Sequence, residues 1–391
     1  MKILVTNHHL QEFTGSEIST FILSKYLKKA GHNVVIYSKY LNFNFTKQFE
    51  NLGIRVISNL DIIHNEQFDI AHIQQNISAY EIRYYFPKLP FVMWIHGVLV
   101  FLELPPFVDL HISKFLVNNA EGCKFIQGHG IKEKDIHIIR NIIDSEIFFP
   151  TTKINKIPKK ALIISNKITK EKELLLKKVL KNLKIKYTFV GKRFKNVPNY
   201  EIPKYINKAD IVFTVGLGAM ETMFCGRIPI LYDYNFAPYD DGMVNINNFD
   251  TLKEFNFSGR ATKNIFDEKA LINEIKKYNY KEGEKLREKA LRLYDATTQV
   301  DNIINIYKNV IENYKYTPLK KNIQDALSHI VNIIYATKFY TTMWCQLENK
   351  NIRLNFNNKL SILQTKLDTI TSSKCYRIWR LYHRIIDQFK K

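Results

Sequence analysis

Short apolar runs alternate with helical patterns along the first half of the chain. Residues 2–6 are an apolar run, and beyond the turn at 14–17 apolar residues recur at helical spacing until the Ala30-Gly31-His32 stop. A second apolar run follows at 34–37. Because a strand, a helix and another strand in this order form a βαβ unit, the pattern predicts a parallel sheet. Further strands are predicted at 53–57, 70–73 and 91–95.

The same alternation resumes after a Pro- and Lys-containing stretch at 149–159, which is interpreted as a linker. Strands are predicted at 161–164, 187–191, 210–215 and 228–232, and helices at 171–184 and from about Ala219. Two such sheets leave a cleft between them, and open α/β sheets bind ligands at the carboxyl ends of their strands. The predicted domains are 1–150 and 151–300, with a helix at 301–315 that returns to the first domain.

From residue 316 the sequence predicts a helical, partly coiled-coil and basic extension that reaches residue 391. Its coiled-coil spacing covers about two heptads, at Phe356, Leu360, Leu363, Leu367 and Ile370. The last eighteen residues mix basic with aromatic side chains. One interpretation is docking on an anionic membrane surface. The alternative is a helix that packs within the chain or forms a homo-oligomer.

The composition narrows the class of protein. Of 391 residues, 46% are hydrophobic, which predicts buried cores rather than a disordered chain. Lys and Arg number 58 against 37 Asp and Glu, a net charge of +21 that favours anionic partners or reflects an A/T-rich coding sequence. Without a helix-turn-helix, zinc or RNA-binding signature, we expect no nucleic-acid partner.

The cysteines and the apolar runs bear on the compartment. Cys123, Cys225, Cys345 and Cys375 stand far apart, which predicts neither a disulfide framework nor a zinc site. No export signal or membrane-spanning run is recognised. The expected location is the cytoplasm, with peripheral attachment to the inner face of the membrane as an option.

The most informative segment for chemistry is Gly216-Leu217-Gly218, which lies between a strand and a helix. Glycines let a backbone approach a ligand closely, and the free N–H groups of a helix start attract phosphate oxygens. Glu221, in the first turns, is a candidate acceptor for ribose hydroxyls; alternatively, it only favours the helix dipole. Lys167 and Lys172 are candidate phosphate contacts or ordinary solvated lysines.

Two further candidates are less specific. His96 ends the strand at 91–95 and is either a substrate-binding imidazole or a structural histidine. Asp240-Asp241 resembles an acidic metal-binding pair, but a loop turn is expected there and no metal is predicted. Dehydrogenase, P-loop and α/β-hydrolase motifs are absent.

Together these segments resemble the retaining nucleotide-sugar glycosyltransferases of family 4, with gaps, over about residues 1–315. Residues 14–17 are similar to the family's opening Gly-Gly-x-Glu loop, and residues 140–150 to its Asn-Gly-x-Asp…Phe-x-Pro segment. Lys167 and Lys172 have the spacing of the family's Arg and Lys, and residues 221–226 resemble Glu-Ala-Met-Ala-Cys-Gly. His96-Gly97 matches the family's cleft histidine. Residues 256–260 are also similar to a segment of bacterial sugar transferases.

The resemblance implies the α/β GT-B architecture, two facing Rossmann-like domains with parallel sheets, here with the α-helical extension. It implies that Gly15, Lys167, Lys172, Gly216, Leu217, Gly218 and Glu221 bind the donor, and that His96 and Lys172 are catalytic. The implied reaction is a retaining, metal-independent transfer of a hexosyl group from a nucleotide sugar, the co-substrate, to a saccharide or lipid-linked acceptor. Capsule or lipopolysaccharide synthesis is the expected setting. Replacing Lys172 with Ala is expected to reduce transfer and leave the fold intact.

One position departs from the family pattern. The first carboxylate of Glu-x7-Glu falls at Phe213, so the residue that usually grips donor hydroxyls is missing or displaced. The alternatives are therefore a catalytically inactive saccharide-binding or scaffold protein in a polymer-assembly complex and a nucleotide-sugar epimerase. The acceptor-binding residues are not predicted.

Overall fold

The computed structural model describes residues 1–11, 15–233, 238–347 and 365. The predicted heptad positions and the basic-aromatic end of the chain lie outside these residues, as does Thr14 of the predicted opening loop. The described strands are β1 (Lys2–Thr6), β2 (His9–Leu10), β3 (Asn33–Tyr37), β4 (Tyr40–Leu41), β5 (Arg55–Ile57), β6 (Ile70–Ile73), β7 (Phe91–Ile95), β8 (Lys114–Val117), β9 (Ile136–Ile138), β10 (Lys160–Ile164), β11 (Lys186–Val190), β12 (Ile211–Thr214), β13 (Ile228–Tyr232) and β14 (Asp240–Met243).

Twelve α-helices lie in the described part of the chain. They are α1 (Gly15–Lys29), α2 (Phe43–Glu50), α3 (Asn76–Tyr85), α4 (Ala120–Gln127), α5 (Lys170–Asn182), α6 (Ile202–Ile206), α7 (Leu217–Phe224), α8 (Phe249–Lys253), α9 (Glu268–Lys276), α10 (Glu282–Tyr294), α11 (Ala296–Asn313) and α12 (Lys321–Leu347). None of these described helices combines the length and hydropathy that a membrane-spanning segment needs.

The chain divides into two compact units. The first unit, 1–78, 89–105 and 112–316, contains both sheets. Its N-terminal sheet is wholly parallel, in the order β5-β3-β1-β6-β7-β8-β9. Its C-terminal sheet has the order β11-β10-β12-β13-β14. We call the parts built on them the N-terminal and C-terminal sheet domains. The predicted α/β class and GT-B architecture are therefore confirmed.

Apolar runs build the sheets because parallel strands are covered on both faces. Ile3, Leu4 and Val5 of the central strand β1 are fully buried. α1 ends where the backbone of Gly31 turns to a φ of 82°, the left-handed conformation that glycine adopts without strain. α11 crosses back to the N-terminal core, where Tyr307 Oη lies 2.6 Å from His72 Nδ1.

The C-terminal sheet ends in a strand at a place where the sequence predicts a loop turn. Asp240 and Asp241, expected in a loop turn, begin β14, which pairs antiparallel with β13. The strand was missed because its four residues are Asp-Asp-Gly-Met, without an apolar run. The carboxylates of this strand are held by hydrogen bonds from a neighbouring segment. Asp241 accepts hydrogen bonds from the N–H groups of Ala261 and Thr262.

The second unit comprises 79–88, 106–111 and the chain from Thr317. Arg83 organises it, since its guanidinium donates to the carbonyl oxygens of Leu110 at 2.9 Å and Pro87 at 2.6 Å. Tyr80 Oη accepts a hydrogen bond from the Phe107 N–H at 2.9 Å. α12 lies within the predicted helical extension and is the long helix of its described part.

Candidate functional site

A cavity of about 690 Å³ lies between the two sheet domains. Its C-terminal wall is formed where β10, β11, β12 and β13 end, the edge at which open α/β sheets bind ligands. Its N-terminal wall contains the starts of α1 and α2. The cavity brings together six of the predicted site residues: Gly15, Lys167, Gly216, Leu217, Gly218 and Glu221.

The glycine turn before α7 has the geometry of an anion site. Gly216 has a φ of 61° and a ψ of −129°, and its N–H donates to the Phe257 carbonyl at 2.8 Å. α7 consequently begins at Leu217, two residues before the predicted start. Within its first turn Gly218 leaves no room for a Cβ, which would collide with Thr214. The unpaired N–H groups and the positive dipole end of α7 therefore lie at the cavity wall.

A second helix start lies opposite. α1 begins at Gly15, and a Cβ at this position would lie 3.3 Å from Leu217 Cδ1. The starts of α1 and α7 thus approach each other across the cavity. Two positive helix ends at one cavity favour an anion more than either alone.

Glu221 is a buried acid in the wall of the same cavity. Only 6% of the residue is exposed, and burial raises the pKa of its carboxyl to about 8. The raised pKa means that the carboxyl keeps its proton at neutral pH until a ligand stabilises the charged form. Such a group suits a partner that offers hydrogen-bond donors.

The loop after β10 is fixed by Ser165, which is not among the predicted site residues. Ser165 Oγ donates to Asp233 Oδ1 at 2.8 Å and accepts from the N–H groups of Lys167 at 3.1 Å and Ile168 at 2.8 Å. Lys167 itself is exposed at the cavity wall. Ser165 and Asp233 could have been found as polar residues that directly follow buried strands. They hold the backbone that carries Lys167.

Lys172 is not among the residues that line this cavity. Its ammonium forms an ion pair with Asp240, donates to the Asp233 carbonyl oxygen at 3.0 Å and lies 4.7 Å from the Tyr232 ring centroid. Its side chain is 11% exposed, and that of Asp240 is fully buried. Burial raises the pKa of Asp240, although the neighbouring ammonium acts in the opposite direction. In this structure Lys172 is a partner of Asp240, and its catalytic role stays a prediction.

His96 belongs to a separate, smaller cavity of about 150 Å³. Its Nε2 lies 3.1 Å from Gln74 Oε1, and its ring centroid lies 4.4 Å from that of Trp94. Burial lowers the pKa of His96 to about 3, so the imidazole is neutral at physiological pH. The structure thus places the predicted histidine and the predicted glycine turn at two different cavities.

Ion pairs and hydrogen bonds connect the sheet domains beside the smaller cavity. Arg260 binds Glu121 through two contacts of 2.9 and 2.8 Å. Arg140 pairs with Glu254 at 3.0 Å, and Asn141 donates to Asn256 Oδ1 at 2.6 Å. The segment 256–260, whose role the sequence left open, therefore helps to join the domains. In the described part of the chain, no group of three or more His, Cys, Asp or Glu side chains could hold a metal ion.

Phe213 is a core residue. It is fully buried on β12, with its ring edge-on to Tyr232 at a centroid distance of 6.2 Å. A phenyl ring has no polar atom that could bind a sugar hydroxyl. The position at which the sequence resemblance implies a carboxylate is therefore a core position in this chain.

No family model and no curated protein sequence matches the chain. Among solved structures, a glycosyltransferase from Rickettsia africae ESF-5 is similar, with a TM-score of 0.58 and 16% identity over 80% of this chain and 99% of its own. HepE from Anabaena, solved with UDP and glucose, has a TM-score of 0.58 and 12% identity over 79% of this chain and all of its own. Sucrose-phosphate synthase from Thermosynechococcus elongatus has a TM-score of 0.53 and 12% identity over 80% and 100%. At such identities the likeness concerns the fold, and the chain has the GT-B fold of these enzymes.

Proposed function

We propose that the protein transfers a sugar from a nucleoside-diphosphate sugar to a saccharide or lipid-linked acceptor. The observation that carries this proposal is the larger cavity, where two helix starts, a glycine turn, Lys167 and a buried acid converge. The presence of UDP and glucose in the structure of HepE, a protein of the same fold, supports it.

Each group has a part in binding the donor. The N–H groups at the start of α7, the start of α1 at Gly15 and the Lys167 ammonium bind the diphosphate and stabilise the charge that develops as it departs. Glu221 accepts hydrogen bonds from the ribose hydroxyls. The bond between the anomeric carbon and the phosphate oxygen breaks, and the oxygen of an acceptor hydroxyl bonds to the anomeric carbon on the same face of a hexose ring. The departing phosphate oxygen takes up the proton of that hydroxyl. This retaining reaction is proposed to need no metal.

The direct test is a panel of nucleotide sugars. The full-length protein is incubated with UDP-glucose, UDP-galactose, UDP-N-acetylglucosamine and GDP-mannose, and release of nucleoside diphosphate is measured over time. We expect release from one donor class, together with saturable binding of the corresponding nucleoside diphosphate. If none of these donors, UDP or GDP binds, the proposal is wrong.

Replacing Lys167 with Ala is expected to weaken UDP binding about tenfold, because a charge-assisted contact to the diphosphate is lost. Uridine binding should not change, since it has no phosphate. Lys181→Ala is the matched control, because Lys181 is an exposed lysine of α5 that does not line the cavity. Calorimetric titration measures the affinity of the wild type and of each variant for UDP and for uridine. Equal UDP affinity of Lys167→Ala and Lys181→Ala would remove Lys167 from the phosphate site.

An inactive saccharide-binding protein is the second candidate function, and the burial of Phe213 favours it. A transferase binds a nucleotide sugar and releases the nucleoside diphosphate, whereas an inactive protein that keeps the donor site binds the nucleotide sugar without releasing it. The panel therefore separates them: binding without turnover supports the inactive protein.

The biological setting is also a proposal. We infer a role in cell-surface polysaccharide synthesis, at the cytoplasmic face of the membrane, where nucleotide sugars meet a growing saccharide. Binding of the full-length protein to anionic vesicles in a sedimentation assay tests the attachment. Loss of that binding in a chain that ends at Lys315 would assign it to the C-terminal extension.

A further inference from the structure

The segment 170–195 carries a large part of the positive charge of the protein. It contains ten Lys and Arg residues against two Glu residues, within a chain whose net charge is +21. The segment forms α5, the strand β11 and the loop that follows β11. In the order of the described strands, β11 lies at the edge of the C-terminal sheet. A high local charge at one edge of a domain favours an anionic partner.

One face of α5 is basic and exposed. Lys170, Leu174, Lys178 and Lys181 follow one another at spacings of four, four and three residues, which places them on the same side of the helix. The side chains of Lys170 and Lys178 are 63% and 62% exposed, and Lys181 is exposed as well. The opposite side of the helix is buried in the core of the C-terminal sheet domain.

Apolar side chains lie among these lysines. Leu174 is 55% exposed in the middle of the basic face of α5. On β11, Tyr187 is 40% exposed next to the exposed Lys186, and its ring centroid lies 5.9 Å from that of Phe189. Lys177 Nζ of α5 lies 5.1 Å from the Phe189 ring centroid, so the helix and the strand form one surface. We call it the α5–β11 surface.

The side chains of this surface favour one kind of partner. A second copy of the chain would present the same positive charges, which repel one another. Nine of the ten cations of the segment are Lys, whereas Arg is preferred in nucleic-acid recognition, and an exposed leucine has no group that binds a phosphate backbone. A membrane that contains anionic lipids suits both features, because its headgroups attract ammonium groups and its interface takes up apolar and aromatic side chains.

We propose that the α5–β11 surface docks the C-terminal sheet domain on an anionic phospholipid membrane, with Leu174 and Tyr187 inserted between the headgroups. This attachment is separate from the C-terminal extension. The surface adjoins the larger cavity, since Lys167, three residues before α5, and Lys192, in the loop after β11, both line that cavity. Docking therefore places the cavity beside the headgroups. Under the proposed function, on which this last step rests, that position favours a lipid-linked acceptor over a free saccharide.

Sedimentation of the full-length protein with vesicles measures the contribution of the charges. Vesicles of phosphatidylcholine alone are compared with vesicles that also contain phosphatidylglycerol. The double variant Lys181→Gln/Lys186→Gln is expected to bind the anionic vesicles about 20-fold more weakly than the wild type, because each Lys near such a surface contributes about fivefold. Lys124→Gln/Lys308→Gln removes the same charge from exposed positions of α4 and α11, and we expect a loss of less than threefold. UDP affinity should not change in either variant, since none of the four lysines lines the larger cavity.

A fluorescent probe shows whether the α5–β11 surface itself enters the membrane, even where the C-terminal extension also binds. An environment-sensitive fluorescent amino acid is incorporated at position 174 or, as a control, at position 308. With anionic vesicles we expect a blue shift of the emission at position 174 and none at position 308.

Three results would each overturn the inference. They are no binding of the full-length protein to anionic vesicles, equal binding by the two double variants, and a probe at position 174 that emits as in water while the protein sediments. If Lys181→Gln/Lys186→Gln instead loses affinity for a random-sequence RNA and keeps vesicle binding, the surface binds nucleic acid and the inference is wrong. Failure of the proposed function is seen separately, as the absence of donor binding in the nucleotide-sugar panel.

Discussion

Lys172→Ala is expected to lower the free energy of unfolding by about 3–5 kcal/mol, the usual cost of removing one partner of a buried ion pair. The reason is Asp240, whose side chain is fully buried and, without the Lys172 ammonium, would have to carry an unpaired charge or take up a proton. From the sequence this substitution is expected to leave the fold intact, and the ion pair with Asp240 adds the expectation of a lower stability. Urea denaturation of the variant, with Lys181→Ala on the same helix as control, measures the difference.

A double variant separates the contribution of Lys172 to the stability of the protein from its proposed catalytic role. Lys172→Met with Asp240→Asn removes both charges, and an Asn carboxamide oxygen can still accept from the Phe266 N–H that now binds Asp240 Oδ2 at 3.0 Å. We expect most of the lost stability to return. If turnover returns as well, the leaving-group role of Lys172 is excluded; if turnover stays low in a stable protein, that role is supported. A single variant Lys172→Ala as stable as Lys181→Ala would contradict the ion-pair argument.

The fold could be predicted from the sequence because parallel strands leave a strong signal. Strands β1, β3, β7, β10 and β13 are buried apolar runs between polar residues, so their positions follow from the hydrophobic effect and local pattern alone. The edge strands β9 and β14 lack that signal: β9 has three half-buried or exposed residues, and β14 starts with two aspartates. Their pairing depends on neighbours that are distant in sequence.

The candidate site was predictable to the extent that it depends on local backbone. Gly216, Gly218 and Glu221 lie within one turn-helix segment, and Gly15 and Lys167 follow strands whose ends meet at the cavity. The partner of Lys172 was not predictable, because Asp240 is 68 residues away and its strand carries no pattern. The separation of His96 from the glycine turn is likewise a matter of how two sheets face each other, which sequence spacing does not encode.

Binding of UDP is expected to strengthen by up to about tenfold for each pH unit as the pH rises toward 8, and to level off above that value. The pKa of Glu221 in the unliganded protein is raised to about 8 by burial, so below pH 8 most carboxyls carry a proton. Ribose hydroxyls donate best to the ionised form, so binding lowers the pKa of Glu221 and releases its proton. By linkage, a ligand that releases a proton binds more tightly as the pH increases.

Glu221→Gln tests whether Glu221 causes this dependence. The amide cannot ionise, so its UDP affinity should lack the component of the pH dependence that comes from position 221, and at pH 8 it should be about tenfold weaker than that of the wild type. Titration of UDP itself occurs in both proteins, so the difference between their profiles isolates the carboxyl. Calorimetry in two buffers of different ionisation enthalpy counts the released proton directly. Parallel pH profiles for the two proteins would show that Glu221 does not contact the ribose and would assign it to the stability of α7 alone.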